Sequence, residues 1–253
     1  MDQERKYRAP ALQKGLSILE TLAHTDQAMS MSDISTALGR SRNEIFRMLQ
    51  VLEEMHYIAR DATGGYTLTN RLFALGMQRP PVRDLIATAL PVMHDLAEET
   101  QQSCHLAVMS GSEMVVVVRT EAPGLLGFAV RVGHRQPLPL AASGLTMMAF
   151  QPETTLDKTI EQIEAAHGPI DRDALIATLD RIREQGYVSQ DSATITAIHD
   201  ISAPILVEMS AVAALTVPFV SGIGTRIGIA RTTRLLRTAA AAISRALQPA
   251  RIE

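Results

Sequence analysis

The sequence predicts an α+β fold in which an N-terminal winged helix-turn-helix domain, residues 1–80, precedes an antiparallel-sheet domain, residues 81–253. Residues 41–57 have the pattern of an amphipathic helix with a capped start, and strand-like runs around two glycines follow it. Strand-like runs near both ends of the second part enclose a helical region. Pro80 and Pro81 break the helical pattern between the two parts, so we place the domain boundary there.

The helix predicted at 41–57 has one apolar and one polar face. Ser41 followed by Glu44 forms a capping box, and apolar residues recur behind it at helical spacing. The opposite face carries side chains that can form paired hydrogen bonds with base edges in a major groove. The predicted DNA-binding residues of this helix are Ser41, Arg42, Asn43, Arg47 and Gln50.

The neighbouring segments complete the predicted motif. Ser32 is expected to cap a short helix that ends at Gly39, and residues 58–69 read as a hairpin, or wing, around Gly64–Gly65. Arg60 in this wing is expected to meet a DNA phosphate. A first helix, residues 11–22, is expected to pack through Leu12, Leu16, Leu19 and Leu22. The alternative is an ordinary pair of amphipathic helices with a solvated polar face.

Composition is typical of a soluble globular protein and does not by itself suggest DNA. The chain has 253 residues, 46 % hydrophobic and 20 % charged, with a net charge of −3. Residues 1–80 hold ten Lys/Arg and nine Asp/Glu, whereas the remainder holds fourteen and eighteen. Cys104 is the single cysteine, which excludes an intramolecular disulfide. We expect a cytoplasmic protein with no membrane span, cofactor or metal site.

The second domain is predicted to contain paired strands with helices between them. It is expected to begin with a helix at 82–100 that Pro91 kinks or divides. Strands are predicted at 104–109, 114–119, 125–132, 195–206 and 211–219. Further helices are predicted at 142–150, 156–166, 171–185 and 226–247.

Alternation along the last two strands places Asp200, Ser202 and Thr216 together on one sheet face. A buried carboxylate needs a donor, so a ligand hydroxyl or amine, His105 or Arg131 would have to serve. The alternative is that Asp200 caps a turn or lies at a solvated strand end.

Ser143, Gly144 and Leu145 lie at a predicted helix start, where free amides could hold a carboxylate and Gly144 would allow close approach. Ser143 could instead be a catalytic nucleophile. That reading lacks both the glycines of a nucleophile elbow and a histidine placed to activate the serine.

Four segments together resemble the IclR-type bacterial transcriptional regulators. They are PALQKGLSILETLA, MSDISTALGRSRNEIFRMLQVLEEMHYI, PLPLAASGLTMMAF and the pair REQGYVSQD and ISAPILVEMSAVAALTV. The resemblance implies a helical linker to a profilin-like or GAF-like effector domain. Carried over by position, the effector-binding residues would be Leu125, Phe128, Ser143, Gly144, Leu145, Asp200, Ser202 and Thr216, with His105 added as a possible donor to Asp200. Asp200 and Gln190 depart from the family pattern, which bears on effector identity.

The expected function is therefore a ligand-responsive DNA-binding regulator of a catabolic operon. The expected partners are double-stranded palindromic or pseudo-palindromic operator DNA, a second copy or a dimer of dimers, and a small organic acid, with a hydroxylated aromatic carboxylate favoured. The sequence leaves repression and activation open. The alternative is an enzyme or metabolite-binding protein whose N-terminal helices serve only for assembly.

Overall fold

A computed structural model describes residues 9–25, 27–77, 80–124, 127–222 and 227–248, without the side chains of residues 77 and 80–83. The chain divides into two compact units, Met1–Arg83 and Asp84–Glu253. The first unit contains helices α1, α2, α3 and α4 and the strands β1 and β2. In chain order their bounds are α1 Pro10–Ala23, α2 Met31–Leu38, α3 Arg42–Glu54, β1 Ile58–Arg60, β2 Tyr66–Leu68 and α4 Arg71–Met77.

The helix-turn-helix and its wing are confirmed, but α2 starts differently from the prediction. Ser30, not Ser32, caps α2: its hydroxyl accepts from the Asp33 amide while the Asp33 carboxylate accepts from the Ser30 amide. Gly39 ends α2 at a φ of 60°, in the left-handed region where glycine carries no steric cost. Strands β1 and β2 pair antiparallel and form the wing.

The core of the first unit lies between α1, α2, α3 and the wing. It is built from Ile18, Leu19, Leu22, Ile34, Ile45, Leu49, Ile58 and Tyr66. The predicted packing of Leu12 and Leu16 is wrong, because these side chains are 63 % and 51 % exposed. The buried stripe of α1 instead passes through Ile18, so only the C-terminal half of the predicted leucine set faces the core.

The second unit is built on a six-stranded antiparallel sheet of order β5-β4-β3-β8-β7-β6. Its strands are β3 Cys104–Ser110, β4 Glu113–Thr120, β5 Arg135–Pro137, β6 Val188–Asp191, β7 Ile198–Val207 and β8 Ser210–Val220. Its helices are α5 Pro80–Thr100, α6 Ala142–Ala149, α7 Glu153–His167, α8 Arg172–Gln185 and α9 Ile229–Leu247, with a 3-10 turn at Leu138–Leu140.

Helices cover both faces of this sheet, so the domain has two apolar layers. Residues of α5 and α9 share one core cluster with alternate residues of β7 and β8, such as Ile201 and Leu215. Residues of α6, α7 and α8 share the other cluster with Ala107, Val116 and Ala214. The predicted α+β class with an antiparallel sheet is confirmed.

Three predicted elements of this unit need correction. The strand expected at 125–132 is wrong for residues 127–132, which form no strand; residues 125 and 126 lie outside the described residues. Chain reversal at Gly133, with a φ of 83°, instead pairs Arg135–Pro137 with β4. Strand β7 begins at Ile198, not 195, because Ala197 has a left-handed φ of 70°. Helix α5 continues through Pro91, so of the two predicted effects of this proline the division is wrong and the kink stays a prediction.

Candidate functional sites

The polar face of α3 is exposed as predicted. Asn43, Arg47 and Gln50 are exposed, and their side chains form no hydrogen bond with any other described residue. Arg42 is also exposed, but its Nη2 donates to Ser32 Oγ at 2.7 Å and so links the starts of α3 and α2. Asn43, Arg47 and Gln50 are therefore free of competing contacts in the described part of the chain, whereas Arg42 is not.

The start of α3 is held by a network that uses Ser41 as a structural residue. The Ser41 hydroxyl accepts from the Glu44 amide, and the Glu44 carboxylate accepts from the Ser41 amide at 3.1 Å. Lys14 Nζ also donates to Glu44 Oε1 at 2.8 Å, which joins α1 to α3. This bond and the cap lower the pKa of Glu44 to about 2. The Ser41 hydroxyl is thus already used by the helix cap.

The Arg60 side chain lies on the wing and contacts Glu53 and Tyr66. Its Nε lies 3.2 Å from Glu53 Oε2, and its guanidinium carbon lies 4.8 Å from the centre of the Tyr66 ring. The wing turn is held by Asp61, whose Oδ1 accepts from the amides of Thr63 and Gly65 at 2.9 and 2.8 Å. Although paired, the Arg60 side chain remains 44 % exposed and can meet an anion.

A cavity of about 590 Å³ lies in the second unit, between the sheet, the start of α6 and two loops. Five of the predicted effector-binding residues line it: His105, Phe128, Ser143, Asp200 and Thr216. Ser202, Gly144 and Leu145 do not line it, and Leu125 lies outside the described residues. The structure therefore brings most of the predicted polar residues of the sheet to one cavity wall.

A polar row crosses three strands on that wall. His105 pairs with Thr216, and Thr216 pairs with Ser202, in direct register. The Thr216 hydroxyl donates to Ser202 Oγ at 2.8 Å, and Ser202 is fully buried. Ser202 therefore holds the Thr216 hydroxyl from the neighbouring strand and does not itself line the cavity. Asp200, on the same face of β7, is half-buried, and burial raises its pKa even though Ser192 donates to it.

His105 has an unsatisfied atom next to this cavity. The residue is only 4 % exposed, and its Nδ1 has no hydrogen-bond partner among the described residues. Burial, and secondarily the charge of His134, lower the pKa of His105 to about 4. The imidazole is therefore neutral near pH 7. A buried polar atom without a partner is costly, so His105 favours a ligand with a complementary polar group.

The start of α6 differs from the prediction in two residues. The Leu145 amide donates to Ala141 O at 2.9 Å, so it is not free, and its side chain belongs to the core. A Cβ at Gly144 would lie 2.1 Å from Leu138 O, so this glycine allows α6 to pack on the 3-10 turn. Leu145 is therefore not available to a ligand, and the space in which a ligand was predicted to approach Gly144 is occupied by Leu138. The first-turn amides that remain for an anion belong to Ala142, Ser143 and Gly144.

The cavity also contains residues that sequence reasoning did not place there. Arg131 is predicted only as a possible donor to Asp200, and no role is predicted for His134. Most of the missed lining residues lie in irregular segments, where the sequence has no periodic pattern that predicts the direction of a side chain. The missed residues are Met114, Ala129, Val130, Arg131, His134, Gln136, Leu140, Ala141, Ala142, Ser192, Thr194, Ile195 and Ile198. Three of them, Ala129, Val130 and Arg131, lie in the segment that is wrongly predicted as a strand at 125–132.

A Ser–His–Asp contact chain lies outside the cavity. His199 Nε2 is 2.9 Å from Ser189 Oγ, and His199 Nδ1 is 2.9 Å from Asp191 Oδ1. None of the three lines the cavity, and the Asp191 side chain is 96 % exposed.

Within the described ranges, no group of three His, Cys, Asp or Glu residues is arranged to hold a metal ion. Ser143 makes no hydrogen bond to a histidine there.

A winged helix-turn-helix with an exposed polar recognition face, followed by a domain with a ligand-sized cavity, defines a DNA-binding regulator with a sensor domain. Two family descriptions match the chain: the IclR helix-turn-helix domain over residues 11–62, and the bacterial transcriptional regulator IclR C-terminal domain over residues 81–245. The chain belongs to the IclR family of bacterial transcriptional regulators, which bind operator DNA and small-molecule effectors.

Individual relatives agree with this assignment. The transcriptional repressor AllR of Escherichia coli is 26 % identical over 245 residues, covering 94 % of this chain and 90 % of AllR. The regulator KdgR of the same species is 25 % identical over 197 residues, 76 % of this chain and 74 % of KdgR. An IclR homologue from Microbacterium hydrocarbonoxydans, solved with 4-hydroxybenzoate, superimposes with a TM-score of 0.78 at 24 % identity, covering 94 % of this chain and 98 % of its own.

Among the described helices, none combines the length and apolar character needed to cross a bilayer.

Proposed function

We propose that this regulator controls a catabolic operon in response to a hydroxylated aromatic carboxylate. The observation that carries the proposal is the cavity, because hydrogen-bonding groups suited to the two ends of such a molecule lie on different elements around it. At the start of α6, the first-turn amides and the Ser143 hydroxyl can receive a carboxylate. On the sheet, Asp200, Thr216 and His105 can meet a hydroxyl group.

The groups between these ends suit an aromatic ring. Phe128, Met114 and Ile198 supply apolar surface to the cavity. Asp200 can accept from a phenolic hydroxyl, which gives a half-buried carboxylate a donor in addition to Ser192. Arg131 also lines the cavity and adds positive charge that favours an acid over a neutral ligand. The homologue solved with 4-hydroxybenzoate supports the same ligand class.

Calorimetry on the full-length protein tests the effector class. We expect 4-hydroxybenzoate to bind more tightly than benzoate by roughly 1–3 kcal/mol, because benzoate cannot supply Asp200 with a donor in addition to Ser192. Short aliphatic acids should bind more weakly than either. Asp200→Ala should remove the difference between the two aromatic acids. Failure of all these acids to bind, or an unchanged difference in Asp200→Ala, would contradict the proposal.

For DNA, we propose that α3 reads base edges through Asn43, Arg47 and Gln50, with Arg42 contributing after release from Ser32. Arg60 would contact phosphate. Asn43→Ala or Arg47→Ala should each weaken binding to a selected operator by about 1–3 kcal/mol, with specificity lost at a defined position. If both variants bind this operator as tightly as the unaltered protein, α3 does not read the DNA.

We further propose that the protein binds as a symmetric homodimer, or a dimer of dimers, on a palindromic or pseudo-palindromic operator. Exposed apolar side chains of the first unit supply a candidate dimer surface: Leu12, Leu16, Leu72, Phe73 and Leu75. Light scattering on Leu12→Ser/Leu16→Ser should show a shift toward monomer. A monomeric unaltered protein that binds operator one-to-one would contradict dimeric recognition.

A further inference from the structure

Phe46 interrupts the otherwise polar recognition face of α3. It is 42 % exposed, although a phenylalanine on a helix that contributes to a core is normally turned inward. The core-facing positions of α3 are taken by Ile45 and Leu49, which are fully buried. The exposure of Phe46 therefore follows from its position on the helix, and the core gains little from it.

The helical spacing places Phe46 among the side chains proposed to read bases. Asn43, Phe46, Arg47 and Gln50 are spaced i, i+3, i+4 and i+7, so they follow one face of the helix. The three polar members can form hydrogen bonds with donor and acceptor atoms of base edges. An aromatic ring cannot, but it can cover the one apolar group that a base pair presents in the major groove, the C5-methyl group of thymine.

We infer that Phe46 is a specificity-determining residue that contacts the C5-methyl group of a thymine in the operator. The inference rests on the proposed insertion of α3 into the major groove. If Phe46 makes this contact, the protein prefers thymine at one position in each half-site. None of the polar side chains of α3 explains that preference. Burying a methyl group against a ring contributes about 0.8 kcal/mol, which corresponds to roughly a fourfold change in affinity.

Replacing thymine by uracil in the DNA tests this contact, because the replacement removes only the methyl group and leaves base pairing intact. The probe is a duplex selected from random sequence by the full-length protein, with its thymines replaced one at a time by deoxyuridine. For the unaltered protein, one position in each half-site should show weakening of roughly fourfold, from the loss of one buried methyl group. Phe46→Ala should bind the unmodified duplex more weakly and lose the sensitivity to uracil at that position.

Val51→Ala provides the matched control. Val51 is an exposed apolar residue of the same helix, 48 % accessible, but lies one turn beyond Arg47 toward the C-terminal end of α3, whereas the N-terminal residues of a recognition helix contact base edges. This variant should keep the full sensitivity to uracil. Thermal melting of both variants checks that the helix-turn-helix remains folded, and the exposure of both side chains predicts small changes.

The outcomes separate this inference from the proposed DNA reading. If Asn43→Ala and Arg47→Ala weaken binding but no thymine responds to uracil, α3 reads DNA and the Phe46 contact is overturned. If uracil weakens binding equally in Phe46→Ala and the unaltered protein, another residue contacts the methyl group. If neither the polar variants nor uracil has any effect, the insertion of α3 itself is wrong.

Discussion

Replacing Gly144 with alanine distinguishes packing from ligand binding at the start of α6. The new Cβ would lie 2.1 Å from Leu138 O and 2.7 Å from Leu138 Cα, far inside van der Waals contact. Both atoms belong to backbone, so the helix and the 3-10 turn must separate. Overpacking of this kind costs about 3 kcal/mol at the upper end of its usual range. The greater helix propensity of alanine returns about 1 kcal/mol.

We therefore expect Gly144→Ala to lose about 2 kcal/mol of unfolding free energy, which lowers the melting temperature of the second unit by about 4–8 °C. Differential scanning calorimetry of the full-length protein measures this change. Gly15→Ala is the matched control, because nothing lies within 4 Å of the added Cβ in α1. That variant should gain about 0.5–1 kcal/mol. Unchanged stability in Gly144→Ala together with lost acid binding would refute the packing role and restore the ligand-facing one.

Three further substitutions test other parts of the account. His105→Gln should reduce the loss of stability at acid pH. Because the pKa of His105 is lowered from 6.5 to about 4, the native state binds fewer protons than the unfolded chain between these pH values. In the unaltered protein, the stability present above pH 6.5 is therefore lost as the pH falls toward 4. Urea unfolding across that range checks this, and parallel curves for the variant and the unaltered protein would contradict it. Arg60→Ala should weaken binding to all DNA sequences alike and reduce the salt slope by about 1; a loss confined to one sequence would exclude a phosphate contact. Ser41→Ala should cost the first unit about 1 kcal/mol through loss of the cap, measured by thermal melting, and no change in stability would contradict the capping role.

The sequence predicted the helix-turn-helix well because its signals are local. The Ser41 capping box, Gly39 and the Gly64–Gly65 turn each determine a short segment through neighbouring backbone groups. The cap of α2 was misplaced because Ser30 and Ser32 both precede helical residues, and only Ser30 has the reciprocal partner Asp33. Local chemistry therefore identified the helices, but the prediction chose Ser32 instead of Ser30 as the cap of α2.

The cavity was predictable only where strand alternation applies. Alternation brought Asp200 and Thr216 to one wall, and the structure places both there. The loop residues Arg131 and His134 have no such period, and their positions depend on the reversal at Gly133. The exposure of Leu12 and Leu16 was also missed, because an apolar stripe on a helix does not show which part of it faces the core.

The most direct test of the central claim measures operator affinity with and without the acid. The full-length protein is titrated into a fluorescent operator duplex at fixed salt, with 4-hydroxybenzoate, with benzoate and without ligand. A coupling of about 1–3 kcal/mol predicts a 5- to 150-fold change in the dissociation constant with saturating 4-hydroxybenzoate. Benzoate should require a higher concentration for the same effect. A dissociation constant that stays the same at saturating 4-hydroxybenzoate would contradict the claim that this cavity senses a hydroxylated aromatic acid and controls DNA binding.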